Sequence, residues 1–219
     1  MEGTNARHVQ WNIENTAALL HQKFPSSLVF VIKPTRMHLN TFSVYSNFVE
    51  SNDFGCPIHD SGYGALRHLT LIYKSACSTV ADSTIPVSVV GFSKGCVVLN
   101  QLVYEIPSAC YFDCEVKKFL LAIKNLYWLD GGHSGGDVQM ANQHAEPRLV
   151  TSLAELDCHI HVHVTPYQVH DTLRPWIGRH YRRFCKLLHS TKANFSKEVH
   201  FEQEPGSLEN HFKVLEVFK

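Results

Sequence analysis

A serine between two glycines, where an apolar strand turns into a helix, is the feature that most constrains the fold of this chain. The residues are Gly91-Phe92-Ser93-Lys94-Gly95. Residues 86–90 before them predict a buried strand, and residues 94–105 after them predict an apolar helix. A strand, a tight turn that exposes a serine and a helix together form a nucleophile elbow. The alternative is a glycine-rich turn whose serine is incidental.

Strands and helices alternate along most of the chain, with helices of 10 to 15 residues between short apolar strands. This alternation is typical of a parallel sheet with crossover helices. With the elbow it predicts an α/β fold, α/β-hydrolase-like, whose mostly parallel sheet is flanked by helices. The predicted strands cover residues 28–32, 86–90, 122–129, 159–165 and 198–202. The predicted helices cover residues 11–24, 63–76, 94–105, 146–156, 174–189 and 209–218, and residues 34–61 are expected to be irregular.

The composition limits the chain to one ordinary domain without an obvious charged partner. The 219 residues suffice for one sizeable core, so we expect a single domain over residues 1–219. The formal net charge is zero, which gives no electrostatic reason to expect nucleic acid as a partner. No stretch has the roughly 18 apolar residues of a membrane span. The seven cysteines contain no CxxC pair and predict free thiols, and we expect no cofactor.

A serine nucleophile needs a histidine as general base, and position in the chain selects His211. α/β-Hydrolases order the three residues as serine, acid and histidine, each near the C-terminal end of a strand. His211 follows the last predicted strand, in the sequence Glu209-Asn210-His211-Phe212. The chain has 15 histidines, so residue type alone would select none of them. A solvated histidine at the start of a helix is the alternative.

Two aspartates are candidates for the acid that orients this histidine. Asp171 follows the predicted strand 159–165, and Asp130 ends the strand before it. We favour Asp171 because it is closer in topology to the last strand, and we keep Asp130 as the alternative acid. Either aspartate could instead be a helix cap or a turn former. The backbone N–H of Lys94, directly after the nucleophile, is expected to donate to an oxyanion, whereas its side chain is expected to be solvated.

A metal site is the rival interpretation of the histidines. His159, His161 and His163 alternate along one predicted strand, so their side chains share a face. With His133 or Asp130 nearby, such imidazoles could bind zinc. One polar face is also normal for a strand near a sheet edge, and we therefore expect no metal.

Stretches spread over most of the sequence carry a family resemblance. They lie at residues 32–33 with 36–39, 91–102, 127–136, 164–169 with Asp171, 176–178 and 209–212. These stretches resemble the chromosome 2 open reading frame 69 family, an uncharacterised group of mitochondrial proteins described as α/β-hydrolase-like. The resemblance implies a location in the mitochondrial matrix and a link to respiratory function, and it supplies no substrate.

The start of the chain departs from the α/β-hydrolase pattern. The first predicted helix begins near Trp11, with no apolar strand before it. In this fold a central strand precedes that helix and its loop donates the second N–H of the oxyanion hole. The missing strand would lie between strands 28–32 and 86–90. We therefore expect a sheet that lacks its N-terminal strands, in a chain that is N-terminally incomplete or a shortened form.

Two functions remain open from the sequence. The first is a serine hydrolase that acts on an ester, thioester or amide with Ser93, Asp171 and His211, and whose partner is a small acyl substrate. The second is a catalytically silent protein of the same fold that acts by binding a protein partner.

Overall fold

A computed structural model describes residues 10–78, 85–111, 114–132 and 146–219. Its centre is a four-stranded sheet that consists of β5 (Val87–Phe92), β6 (Ile123–Leu129), β7 (His159–Val164) and β8 (Phe195–Val199). The strands lie in the order β5-β6-β7-β8, and every neighbouring pair is parallel. Two short antiparallel pairs precede them: β1 (Arg36–His38) with β2 (Phe42–Val44), and β3 (Glu50–Ser51) with β4 (Pro57–Ile58).

Helices connect the strands of the central sheet, as parallel strands require. The helices of the described residues are α1 (Ile13–Lys23), α2 (Ala65–Ala76), α3 (Cys96–Glu105), α4 (Cys114–Ala122), α5 (Pro147–Ala154), α6 (Pro166–Val169), α7 (Pro175–Ser190) and α8 (Leu208–Val217). Short 3₁₀ turns occupy Ser93–Gly95 and Ile106–Tyr111. The predicted α/β class, with a parallel sheet flanked by helices, is confirmed.

The two faces of the sheet carry separate apolar clusters. The larger cluster joins the sheet to α2, α3, α4, α5 and α7, and includes Leu126, Val162 and Phe184. The smaller cluster lies on the opposite face, where Tyr127 and Leu129 of β6 pack against α8 and residues of α1 pack around them. From Leu126 to Leu129 the side chains of β6 alternate between the two clusters, which is the period of a strand covered on both faces.

A buried carboxylate ties α2 to α3 on the larger side. Glu105, at the end of α3, is fully buried and accepts hydrogen bonds from the backbone N–H groups of Gly64, Ala65 and Leu66 at 2.8–2.9 Å. These donors belong to the first turn of α2, where N–H groups have no partner within the helix. Gln101 donates to the same carboxylate. Glu105 therefore caps α2 from a different helix.

Strand β5 forms one edge of the central sheet. It pairs with β6 on one side, and no backbone hydrogen bond from another described residue reaches its other side. This edge leads directly into the serine of the elbow. Within the described part of the chain, the sheet therefore ends at β5. This agrees with the expectation that the strand before β5 is absent from the sheet.

The predicted strand 28–32 is wrong. These residues have no regular structure, and Leu28 and Phe30 are 64% and 55% exposed. An apolar run forms a buried strand only where a neighbour can pair with its backbone, and no described strand lies beside it. The other differences are smaller. Residues 34–61 contain β1 to β4 rather than irregular chain alone, and α4 and α6 were not predicted. The last strand lies at Phe195–Val199, three residues before its predicted place at 198–202.

Candidate active site

Ser93 lies at the turn between β5 and α3 with a backbone conformation that serine rarely adopts. Its φ is +52°, in the left-handed region. Strain of this kind persists only where the surrounding structure holds it in place. Here β5 ends at Phe92, and the 3₁₀ turn at Ser93–Gly95 leads without a loop into α3. The strand, turn and helix expected around Ser93 are therefore all present.

The glycine before the serine is required by a close approach of α3. A Cβ atom on Gly91 would lie 2.8 Å from Leu99 Cδ1 and 3.1 Å from the Cα atom of Cys96. Gly95 is different, because a Cβ there would meet nothing nearer than the Tyr45 hydroxyl at 3.9 Å. Of the two glycines in the motif, the first is thus the one that the packing demands.

His211 lies in the first turn of α8 and contacts the serine directly. Its Nε2 atom is 2.9 Å from Ser93 Oγ, and its side chain is almost completely buried. Ser207 caps the helix by accepting the N–H of Asn210, which fixes where α8 begins. The rings of Phe92 and Tyr167 lie with centroids 4.8 and 5.0 Å from that of His211. The imidazole is therefore held by aromatic packing as well as by hydrogen bonds.

The carboxylate that meets His211 is Asp130, at the end of β6. Its Oδ2 atom lies 2.7 Å from His211 Nδ1, and the residue is fully buried. Because a carboxylate oxygen accepts, Nδ1 carries the proton and Nε2 is left to accept the proton of the serine hydroxyl. Thr165 completes the site: its backbone N–H donates to Oδ1 and its hydroxyl donates to Oδ2, both at 2.7 Å. Ser93, His211 and Asp130 thus form one continuous line of hydrogen bonds.

Asp171, the acid favoured from the sequence, does not contact His211, and this preference needs correction. Its Oδ2 atom accepts from Arg174 Nε at 2.5 Å, and its Oδ1 accepts the backbone N–H groups of Leu173 and Arg174. Burial alone would raise the pKa of the Asp171 carboxyl, but these hydrogen bonds outweigh burial and lower it. The carboxylate organises the turn before α7, and the carboxylate that contacts His211 is that of the sequence alternative, Asp130.

The sequence analysis missed Thr165. It follows β7 directly, at the same sheet edge where Asp130 follows β6. A hydroxyl residue placed at a strand end beside an acidic residue was the available signal.

The side chain of Lys94 is not solvated as expected. It is half-buried, and Nζ donates to the backbone oxygen of Gly55 at 3.2 Å. Burial lowers the pKa of its ammonium group, and Arg174 lowers it further against an opposing contribution from Cys56. The segment that contains Gly55 is thereby attached to the elbow. The role of the Lys94 backbone N–H as an oxyanion donor stays a prediction.

The three alternating histidines share one face of β7, as predicted. His161 stacks on Tyr127 with ring centroids 4.0 Å apart, and His159 stacks on His161 at 4.1 Å. His163 instead lies 2.9 Å from His200, through Nδ1 and Nε2. His133, which the metal interpretation included, lies outside the described residues. Asp130 is not part of that group, because its carboxylate is engaged by His211 and Thr165.

Taken together, these distances describe an acyl-transfer arrangement. A serine hydroxyl within 2.9 Å of an imidazole can lose its proton to that imidazole as it attacks a carbonyl carbon. A buried aspartate on the opposite ring nitrogen holds the required tautomer and stabilises the imidazolium that forms. Fold and site define an α/β protein with a serine, a histidine and an aspartate aligned at the C-terminal edge of a parallel sheet.

Comparison with known proteins supplies the family. The C2orf69 family model matches residues 1–87 and 81–194, which together are most of the chain. The chain belongs to the C2orf69 family, and the resemblance found in the sequence is confirmed.

Three relatives are similar along nearly the whole chain. The mitochondrial protein C2orf69 homolog of Danio rerio is 40% identical and is matched over 95% of this chain and 65% of its own length. The homolog of Mus musculus is 35% identical over 98% of this chain and 72% of its own length. The mitochondrial protein C2orf69 of Homo sapiens is 34% identical, with shares of 98% and 68%. The chain thus spans about two thirds of the relatives' length.

The match to the mouse relative extends over 266 residues, more than the 219 of this chain, so that relative has residues without a counterpart here. No solved structure matches the chain. None of the helices in the described ranges is long and apolar enough to cross a membrane.

Proposed function

We propose that this chain is a serine hydrolase that cleaves an ester, thioester or amide. One observation carries the proposal: Ser93, His211 and Asp130 form an unbroken line of hydrogen bonds of 2.9 and 2.7 Å. The left-handed backbone at Ser93 adds support, because an elbow serine is held in this strained conformation so that its Oγ is exposed to substrate.

The residues have distinct roles in the proposed reaction. Ser93 Oγ attacks the carbonyl carbon while His211 Nε2 takes the hydroxyl proton. The same nitrogen then gives this proton to the leaving alcohol, thiol or amine, so that an acyl-serine remains. Water, deprotonated by His211, releases the acid and restores the serine. Asp130 keeps the imidazole in the productive tautomer, and the N–H of Lys94 stabilises the oxyanion.

We also propose that the fold is that of the α/β-hydrolases. Support comes from the order of the site residues along the chain, serine after β5, aspartate after β6 and histidine after β8. The sheet gives further support. Its four parallel strands all have their C-terminal ends at the edge where the site lies, and open α/β sheets bind their ligands at that edge.

The second candidate is a catalytically silent member of this fold that binds a protein partner. The observation that favours it is the edge of β5, which leads into Ser93 and has backbone groups that no other described strand pairs. Such an edge can accept a strand from another chain. On this hypothesis Ser93 has no catalytic role, and the edge of β5 is the surface that binds the partner.

Labelling with a fluorophosphonate separates the two candidates, since the probe reacts with an activated serine. We expect the full chain to be labelled and Ser93→Ala to be inert. Ser88→Ala is the matched control, because Ser88 is an exposed serine on the same strand and lacks contact with His211. An unlabelled wild-type chain that melts cooperatively would favour the partner-binding protein.

The names of the relatives support a mitochondrial location for this chain, and we propose the matrix as its compartment. A link to respiratory function is part of the same proposal and rests on the family resemblance alone. Protease protection of the tagged chain in intact and outer-membrane-ruptured mitochondria tests the compartment. Resistance to protease in both preparations is the expected result.

A further inference from the structure

Three potential metal ligands meet on the face of the sheet that α8 covers. His163 belongs to β7, Glu198 to β8, and His200 follows β8 directly. The strand register pairs His163 with Glu198, and Glu198 and His200 alternate so that they share a face. One ligand atom from each residue lies within 4.8 Å of the others. Among the described residues, no other group of three histidine, cysteine or acidic side chains comes this close.

We propose that His163, Glu198 and His200 form a binding site for a divalent transition-metal ion of the zinc type, which links β7 to β8. Imidazole nitrogens and a carboxylate oxygen are ligands that zinc prefers. The proposal is independent of the hydrolase function, because the three ligands are different residues from Ser93, His211 and Asp130.

The two imidazole nitrogens that face each other are spaced almost as they are in a tetrahedral site. His163 Nδ1 and His200 Nε2 are 2.9 Å apart, and Glu198 Oε2 lies 3.9 Å from His163 Nδ1. The other carboxylate oxygen, Oε1, lies 3.5 Å from His200 Nδ1, which is not the nitrogen that faces His163. Two nitrogens bound to tetrahedral zinc at about 2.05 Å are roughly 3.3 Å apart. An ion would therefore replace the proton between the two rings, with a separation of the rings by a few tenths of an ångström.

The half-exposed side chain of Glu198 can supply the third ligand by a change of rotamer, whereas both rings are fixed by burial. Glu198 also opens one side of the cluster to solvent, which gives an ion an entry path and leaves a position for water as the fourth ligand. A site with two rigid imidazoles and one mobile carboxylate is partly preorganised before the ion arrives.

The surroundings and the local charge agree with this assignment. Both rings are almost completely buried, and an imidazole binds a metal ion in its neutral form. The negative charges of Glu198 and Asp130 favour a positive charge at His200. Lys23, whose ammonium donates to the backbone oxygens of Glu216 and Phe218, acts in the opposite direction.

A bound ion would stiffen the sheet next to the candidate active site. The backbone N–H of Asp130 donates to the oxygen of His163, and that of His200 donates to the oxygen of Val164. The proposed ligands therefore belong to the same hydrogen-bond ladder that positions the aspartate. The alternative for the pair of rings is a simple hydrogen bond between two neutral imidazoles.

Metal titration of the full chain tests the proposal. After removal of metal by dialysis against a chelator, Co²⁺ is added and its visible absorption is followed, and Zn²⁺ is then used to displace it. We expect one equivalent to bind with the strong bands of tetrahedral Co²⁺. Glu198→Gln should weaken Zn²⁺ binding at least about 10-fold, and His200→Ala should abolish it.

The matched control is His159→Ala, which removes an imidazole from the same strand and the same face but not from the cluster. It should bind metal like the wild type. Absence of one-equivalent binding to the wild type, or equal affinity in Glu198→Gln, would overturn the proposal and leave the hydrogen-bonded histidine pair. Because Glu198 is half-exposed, its glutamine variant keeps the fold and decides the question even if His200→Ala does not.

Discussion

Ser93 and Asp130 follow residues that face each other in the sheet, and both adopt a left-handed backbone. Phe92 pairs with Leu129 in the β5–β6 register, and the next residue of each strand has a φ of +52° or +47°. The two strands therefore turn at the same level. This common turn brings the hydroxyl and the carboxylate to one edge of the sheet, where His211 fits between them.

Asp130→Asn should lower the rate of fluorophosphonate labelling and ester hydrolysis by about 10³–10⁴-fold, because asparagine favours the wrong imidazole tautomer. The rates are measured under single-turnover conditions with an activated ester. Asp171→Asn is the matched control, and its rate should stay within a few-fold of the wild type, since Asp171 contacts Arg174 rather than His211. The opposite ranking of the two variants would restore Asp171 as the acid.

Thr165→Val should lower kcat by about 10-fold, because the buried Asp130 carboxylate loses the hydroxyl that orients it. Thr165→Ser keeps the hydroxyl and should restore most of the activity. The measurement is kcat against pH, in which the valine variant should also shift the acid limb. If the serine variant were as slow as the valine variant, the effect would come from packing instead of the hydrogen bond.

Gly91→Ala should destabilise the protein by about 1–3 kcal/mol, since the added methyl group would overlap Leu99 and the backbone of Cys96. Gly95→Ala should change the free energy of unfolding by less than about 1 kcal/mol. Its φ of −62° suits alanine, and its Cβ would have space. Urea midpoints of the two variants give the comparison, and equal midpoints would contradict the packing described at the elbow.

The stability of the fold should decrease as the pH falls from about 6.5 to 4. Burial, reinforced by neighbouring imidazoles, lowers the pKa of His161 and of His163 to about 4. The unfolded chain titrates these groups near 6.5, so between the two values it binds protons that the folded state does not. The stabilisation is complete above about pH 6.5, and about 1–2 kcal/mol per ring should be lost by pH 4, because partial solvation reduces the full effect.

Urea unfolding at pH 7, 5.5 and 4.5 measures this loss. His161→Phe provides the comparison, because phenylalanine can stack on Tyr127 but cannot take up a proton. Its unfolding free energy should depend less steeply on pH than that of the wild type. An equal slope in both proteins would mean that His161 does not contribute.

The sequence was sufficient for the parts of the site that local pattern determines. The elbow could be predicted because apolar residues 86–90, Gly91 and the helix after Ser93 all agree, and His211 because it follows the last strand. The choice between Asp130 and Asp171 depends on which carboxylate reaches the imidazole. That choice is decided by the turn at Asp130 and by Arg174, neither of which has a sequence signal that ranks the two aspartates.

The failures have a common physical cause, namely pairing over long range. Residues 28–32 have the composition of a buried strand, but a strand needs a partner for its backbone, and no described strand supplies one. The approach of His200 to His163 likewise depends on the β7–β8 register, which brings together residues that are 37 positions apart in the chain. Hydrophobic periodicity describes one segment at a time and contains no information on such pairs.

The edge of β5, which no other described strand pairs, has a consequence for how fast its amide protons exchange with solvent. In a parallel strand the N–H groups point alternately to the two sides, so every second amide of β5 is protected by β6 and the others are not. Deuterium uptake along residues 87–92 should therefore alternate between slow and fast sites. Any strand that docks on this edge would abolish the alternation, and the exchange pattern of six amides thus reports whether the border next to Ser93 is free or covered.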